Sequence, residues 1–277
     1  MYLQHFDLKE EPFSITPDPR FFFFSKQHEI ATESLLFGIE KRKGFLLLTG
    51  EIGTGKTTLC RSLLHRLPQG TATSIILNPI LTVPGLLRAI NDDFAHSIES
   101  KNIQDQLIGL NNFLLQQSDK GNNALVIIDE AQNLSTKALE MVRLLSNLET
   151  ERQKLLQILL VGQPELERKL QDYELRQLNQ RISIRLRLDA LDFSELRSYI
   201  SHRLAAAGNG GYFNFEYMAL KKIYSYSQGY PRLINILCDR VFLAAFSRQT
   251  KLISKSLVDW AIQDLGGRSS KNWWRFW

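Results

Sequence analysis

The sequence predicts an α/β chain: a five-stranded parallel sheet followed by an all-helical unit. Three observations carry this. Apolar runs alternate with amphipathic helical patterns over the first two thirds of the chain. A glycine-rich segment, "GEIGTGKTT", joins the first apolar run to a helical pattern, and beyond Asp189 the strand signals stop. The 277 residues, 44% hydrophobic and 23% charged, can bury a full core. The expected organisation is an α/β domain with an N-terminal extension over residues 1–189, a helical lid over 190–265 and a flexible aromatic tail over 266–277.

The first strand is "FLLLT", 45–49, and the helix after the glycines starts "LCRSLLHRL". Between them, successive backbone N–H groups can point into one concave space, because residues without a Cβ adopt positive φ and allow close approach. Such a nest holds a phosphate. Gly50, Gly53 and Gly55 supply the turn, Lys56 can reach the β and γ phosphates, and Thr57 can place its hydroxyl on Mg²⁺, all in front of an anion-favouring helix N-terminus. The pattern G-x-x-x-x-G-K-[ST] is matched in full. Gly50, Glu51, Ile52, Gly53, Thr54, Gly55, Lys56, Thr57 and Thr58 are therefore the expected nucleotide-binding residues.

Next come a strand at "TSIILN", 73–78, helical patterns near 83–97 and 103–117, and the apolar run "ALVIID", 124–129. A helix over 135–149 follows, with Ser135 as its N-cap, then strands at "LLQILLVG", 155–162, and "ISIRLRL", 182–188. Continuous apolar runs suit a parallel sheet covered on both faces. In the last strand Ser183, Arg185 and Arg187 alternate with apolar residues, so one face meets solvent or a partner. Helices over 193–207, 215–227, 231–247 and 254–265 complete the chain, the third opened by Pro231 at a first-turn position.

Hydrolysis needs a carboxylate for Mg²⁺ and another for water. "LVIIDE" offers both: Asp129 to hold the ion and Glu130 to polarise the attacking water. Gln163, after another strand, can sense the γ-phosphate or orient the water, or simply form the turn before Pro164. Arg176 and Arg181, in "LRQLNQRIS", can each reach a neighbouring subunit's γ-phosphate as an arginine finger or sit as surface charges; Arg181, nearest the strand, is the first choice. Arg232 opens a helix, where the macrodipole opposes a cation, and a bound anion would account for it.

Other features exclude more than they assign. No run of about 18 uncharged apolar residues exists, and "MYLQHFDLKEEPF" lacks a signal-peptide pattern, so a cytoplasmic location is expected. Cys60 and Cys238 lie among apolar neighbours and read as core residues. The net charge of +5 decides nothing by itself.

The series "GEIGTGKTT", "VIIDEAQNL", "LLVGQPEL", "LNQRI" and "GYPRLIN", in this order, resembles the AAA+ ATPases of the ExeA/GspA secretion group. "FDLKEEPFSITPDPRFFFFSKQHEIATESLLFGI" resembles that group's N-terminal signature. The resemblance implies a P-loop ATPase using ATP and Mg²⁺. Lys56, Thr57, Asp129 and Glu130 would be its Walker A and B residues, Arg232 sensor 2, and the N-terminal segment would pack near the adenine. For "FFFF" simple core packing is the preferred account. The length and ending are closer to the MshM subfamily, associated with mannose-sensitive haemagglutinin type IV pili, than to members continuing into a periplasmic domain.

The resemblance implies an ATP-promoted homo-oligomer and an inner-membrane assembly partner. Trp273, Trp274 and Trp277 lie beside Arg275 and Phe276, a tip that can enter an anionic headgroup region, dock on a partner or cover the chain's own helices. The alternative function is a DNA-associated ATPase of the transposition-partner type, which shares the core and similar "QRI" stretches. Against it, no helix-turn-helix signal or basic stripe with interleaved aromatics is visible.

Overall fold

The computed structural model describes residues 2–16, 18–77, 79–96, 98–100, 102–151, 153–208 and 214–266. The aromatic tail beyond Gly266, with its tryptophans, lies outside the described residues. In chain order the elements are α1 (Tyr2–His5), α2 (Lys26–Glu40), β1 (Phe45–Gly50), α3 (Lys56–Leu64), β2 (Ala72–Ile76), α4 (Val83–Asp93), α5 (Ile103–Asp119), β3 (Ala124–Ile128), α6 (Thr136–Leu145), β4 (Gln157–Gly162), α7 (Pro164–Leu170), α8 (Arg176–Arg181), β5 (Ile182–Leu188), α9 (Phe193–Ala206), β6 (Asn214–Phe215), α10 (Tyr217–Ser227), α11 (Pro231–Ser247), β7 (Leu252–Ile253) and α12 (Lys255–Asp264).

The contacts divide the chain into two units. One comprises Gln27–Glu51 and Leu59–Leu188. Its sheet is parallel throughout, in the order β2-β3-β4-β1-β5. All residues of β1, β3 and β4 are buried, as strands covered on both faces require. On one face Phe45, Leu47, Val126, Ile128, Ile158 and Leu160 meet α4 to α8 through residues such as Leu86, Leu110, Leu139, Leu166 and Leu178. On the other, α2 lies so close that a Cβ at Gly38 would stand 2.7 Å from Ile184 and Leu46.

β5 is one of the two edge strands, and Ser183, Arg185 and Arg187 are its exposed residues, as the alternation predicts. Ser183 is an extra residue in the register between Phe45 and Leu46, and its hydroxyl donates to the Lys43 carbonyl at 2.8 Å. Thr82, Asn102 and Ser135 cap α4, α5 and α6 with side-chain oxygens.

The other unit comprises the segment through Lys26, Ile52–Thr58 and the chain from Asp189 onward. This grouping differs from the linear division at residue 189. The reason is a shared core: Phe6, Leu8, Phe13 and Phe21 pack with Leu196, Ile200, Ile223, Leu237, Val241, Phe242 and Leu257. The Phe6 and Phe13 rings stand 4.8 and 5.3 Å from Phe242. Core packing thus holds for the first of the four consecutive phenylalanines, Phe21, while Phe24 is exposed.

Arg203 is buried in this core. It donates from Nε to the Pro12 carbonyl, from Nη2 to the Ser14 carbonyl at 2.9 Å and from Nη1 to the Tyr199 hydroxyl at 3.1 Å. Its guanidinium lies 5.0 Å from the Phe21 ring centre. Tyr199 donates its own proton to Asn235 Oδ1 at 2.7 Å. The expectation of no strands beyond Asp189 is corrected by the parallel pair β6 and β7, Asn214↔Leu252 and Phe215↔Ile253. Two-residue strands have no periodicity to read, and β6 takes the residue where the expected helix began. Cys60 and Cys238 are both buried, and neither forms a disulfide.

Candidate functional site

β1 ends at Gly50, and the chain turns through Glu51 and Ile52, both exposed, into Gly53, Thr54 and Gly55. Gly53 and Gly55 take φ of +83° and +94°. Gly50 is strand, so the expectation that three glycines shape the turn is corrected to two: the first closes the sheet register opposite Leu188. Lys56 opens α3 and is only 6% exposed, with Thr54 also buried. A buried lysine at a helix N-terminus, behind two left-handed glycines, fits a bound phosphate. Thr57 and Thr58 follow in the first helical turn, half-buried.

The first turn of α11 packs against this loop, within the same unit. A Cβ on Gly53 would lie 2.6 Å from the Cβ of Arg232 and 3.4 Å from its backbone nitrogen. Only glycine admits that approach. Arg232 is therefore brought to the phosphate loop, its side chain exposed, on a helix with no acidic residue in its first turn and no side-chain cap.

In the sheet unit, the candidate carboxylates lie at the ends of β3 and β4. Asp129, 3% exposed, continues β3; its backbone N–H donates to the Ile76 carbonyl at 2.8 Å and its Oδ1 accepts from the Glu130 N–H at 2.9 Å. Glu130 is left-handed, φ 52° and ψ 37°. For a residue with a Cβ that conformation costs about 1 kcal/mol, and such strain concentrates at functional sites. Its Oε2 accepts from Gln132 Nε2 at 2.5 Å and from Gln163 Nε2 at 3.1 Å.

The backbone N–H of Gln163 in turn donates to Gln132 Oε1 at 3.1 Å. Gln163 caps α7 by position but spends its side chain on Glu130 rather than on the helix. Sequence reasoning finds Gln163 and misses Gln132. The available signals are its place two residues after the acid and the glycine before Gln163, since a Cβ at Gly162 would stand 2.8 Å from Gln132 Oε1.

The two arginines of α8 differ. Arg181 Nη1 is held by the end of α6 and the turn after it: Ser146 Oγ at 2.9 Å, Asn147 Oδ1 at 2.5 Å and the Arg143 carbonyl at 3.3 Å. Arg176 is exposed and stacks 4.1 Å from the ring centre of Tyr173, itself 76% exposed. The two residues that the sequence assigns to a cation, Thr57 and Asp129, offer a hydroxyl and a carboxylate, hard oxygens of the kind that suit Mg²⁺.

Residues 39–170 match the family described as AAA domain. The chain is 42% identical over 276 residues to general secretion pathway protein A of Aeromonas hydrophila, a match covering 99% of this chain and 50% of that protein. The chain thus spans half the length of this curated relative. Among solved structures it is similar to the Aeropyrum pernix ORC2 protein in ADPNP and ADP complexes, with a TM-score of 0.68, 17% identity and coverage of 95% of this chain and 73% of that one. Drosophila ORC bound to DNA gives 0.69, 17%, and 92% and 64%. The Thermotoga maritima RuvB Holliday junction branch migration motor gives 0.58, 21%, and 87% and 70%. At these identities the structural likenesses establish the fold alone.

Proposed function

We propose that this chain, whose residues 39–170 match the AAA domain family and whose fold is the P-loop fold of AAA+ proteins, hydrolyses ATP to drive secretion or pilus assembly at the cytoplasmic face of an inner membrane. Lys56 and the loop N–H groups bind the phosphates, Thr57 and Asp129 hold Mg²⁺, Glu130 polarises the water, and Arg232 reads the nucleotide from the helical unit. Mg²⁺, when bound, neutralises charge developing on the phosphate oxygens. Of the two α8 arginines, Arg176 takes the finger role toward a neighbouring subunit, because Arg181 already serves its own α6. The chain works as an ATP-promoted oligomer.

The observation that supports this reading most is the joint presence of the phosphate loop with Arg232 against Gly53 and the 42% identity to a general secretion pathway protein. The finer setting we propose is a mannose-sensitive haemagglutinin-type pilus, with the tryptophan tail contacting anionic lipid. Among the described residues no helix is long and apolar enough to cross a membrane.

The test is the ATPase rate of the purified chain, with Lys56→Ala as blank, alone and with anionic liposomes or with DNA. Stimulation by liposomes that disappears on removing residues 272–277 is expected. Stimulation by DNA that falls steeply with salt replaces this reading with the DNA-associated one. Arg176→Ala should abolish the rise of specific activity with protein concentration, and Arg181→Ala should leave it.

A further inference from the structure

The surroundings of Glu130 carry one step beyond the ATPase reading, on which that step rests. A glutamate carboxylate moves on three rotatable bonds, and fixing such a side chain gives up rotamer freedom. A water-polarising carboxylate that wanders loses rate steeply, since misplacement by about 1 Å costs on the order of 100-fold. Something has to hold it.

We infer that Gln132 is the positioning residue of Glu130: its side-chain amide locks the carboxylate in one orientation and ties it to the tip of β4. The bonds fix the direction of the amide. Gln132 Oε1 faces the Gln163 backbone N–H, a donor only, so Nε2 must face Glu130; a flipped amide would set oxygen against carboxylate and nitrogen against N–H. The backbone beneath is held as well, because Lys169 donates from Nζ to the carbonyls of Gln132, at 3.2 Å, and Leu134. Gly162 leaves the space the amide occupies.

Both amides converge on Oε2, so Oε1 is the oxygen presented to water. The left-handed backbone of Glu130 turns its side chain back toward Gln132 and Gln163, which is what the strain secures. Gln132 thus acts through Glu130.

The test compares wild type with Gln132→Ala, Gln132→Glu, Glu130→Gln and the double variant Glu130→Gln/Gln132→Ala, reading kcat and the affinity for a fluorescent ATP analogue. Gln132→Ala should lower kcat about 10- to 100-fold with nucleotide affinity within about twofold. Gln132→Glu keeps the acceptor for Gln163 but replaces the donor to Glu130 with a second carboxylate, so kcat should fall at least as far; a role limited to bracing β4 would leave it near wild type. The double variant should be no slower than Glu130→Gln, since a residue acting only through another adds nothing once that one is gone. Wild-type kcat in Gln132→Ala or Gln132→Glu, or a further tenfold loss in the double variant, overturns the inference while leaving the ATPase reading intact. An inactive wild type, or Glu130→Gln at the wild-type rate, overturns the ATPase role of Glu130 and the inference with it.

Discussion

The molecule contains two polar networks that tie distant parts of the chain together, and they are built on opposite terms. In the helical unit Arg203 reaches the carbonyls of Pro12 and Ser14, up to 191 residues away, and sits against the rings of Phe21 and Tyr199 in one buried core. At the strand tips of the sheet unit Glu130, Gln132 and Gln163 pair side chain with side chain, half-buried, around a strained backbone. Carbonyls of a packed segment cannot turn away from a guanidinium without unpacking the segment, whereas amides on half-exposed side chains can exchange partners. The first network therefore governs stability, and on the proposed ATPase reading the second governs rate.

Mutations that separate stability from rate test this division. Phe13→Ala, which empties the helical core where the N-terminal segment enters it, should destabilise by about 3–5 kcal/mol in denaturant unfolding. Arg203→Met keeps the volume but strands the Pro12 carbonyl and leaves the Ser14 carbonyl and the Tyr199 hydroxyl with Asn235 alone, at a cost of about 2–3 kcal/mol. Were this variant as stable as wild type, the helical network would be ornamental and the comparison would fail.

Alkali should act next. Burial is the leading cause that pushes the ionisations of Tyr2, Tyr199, Tyr226 and Cys238 above their ordinary values of 10.0 and 9.0, and all four belong to the helical unit. Protons held in the folded state and released on unfolding give stability that is whole below about pH 9 and is lost as pH rises through about 9 to 10 and beyond, by about 1.4 kcal/mol per pH unit for each proton retained. Amide hydrogen exchange at rising pH should show α9 and α11 losing protection before β1, β3 and β4. Arg181→Ala should cost only about 1 kcal/mol, the worth of its bonds at the end of α6. Smallest of all, Gln132→Ala should change stability by less than about 0.5 kcal/mol while cutting kcat. A larger loss of stability there would erase the distinction between the two networks.

The same division explains what is legible in the sequence. Strands β1, β3 and β4 announce themselves as uninterrupted apolar runs, and the phosphate loop and the Asp129-Glu130 pair follow them directly, because local order and chain order coincide there. Gln132 sits in a short 3-10 turn, Ala131–Asn133, where no period exists, and its role depends on Gln163, 31 residues on. Arg181 reads as the natural finger because of its place beside β5; that place is also what brings it within reach of Ser146 and Asn147. The N-terminal phenylalanines are plainly apolar, but nothing local says that their core is supplied by α9 to α12.

That last arrangement governs the order in which a ribosome can finish this protein. Residues 6–21 emerge early, yet the arginine that grips Ser14 is made 189 residues later. At about 5–20 residues per second, the segment waits roughly 10–40 seconds with three phenylalanines uncovered, while the sheet of the other unit can already close behind it. The early-made strip is the last part of the chain able to settle, and during that interval a chaperone has its clearest claim on the nascent protein.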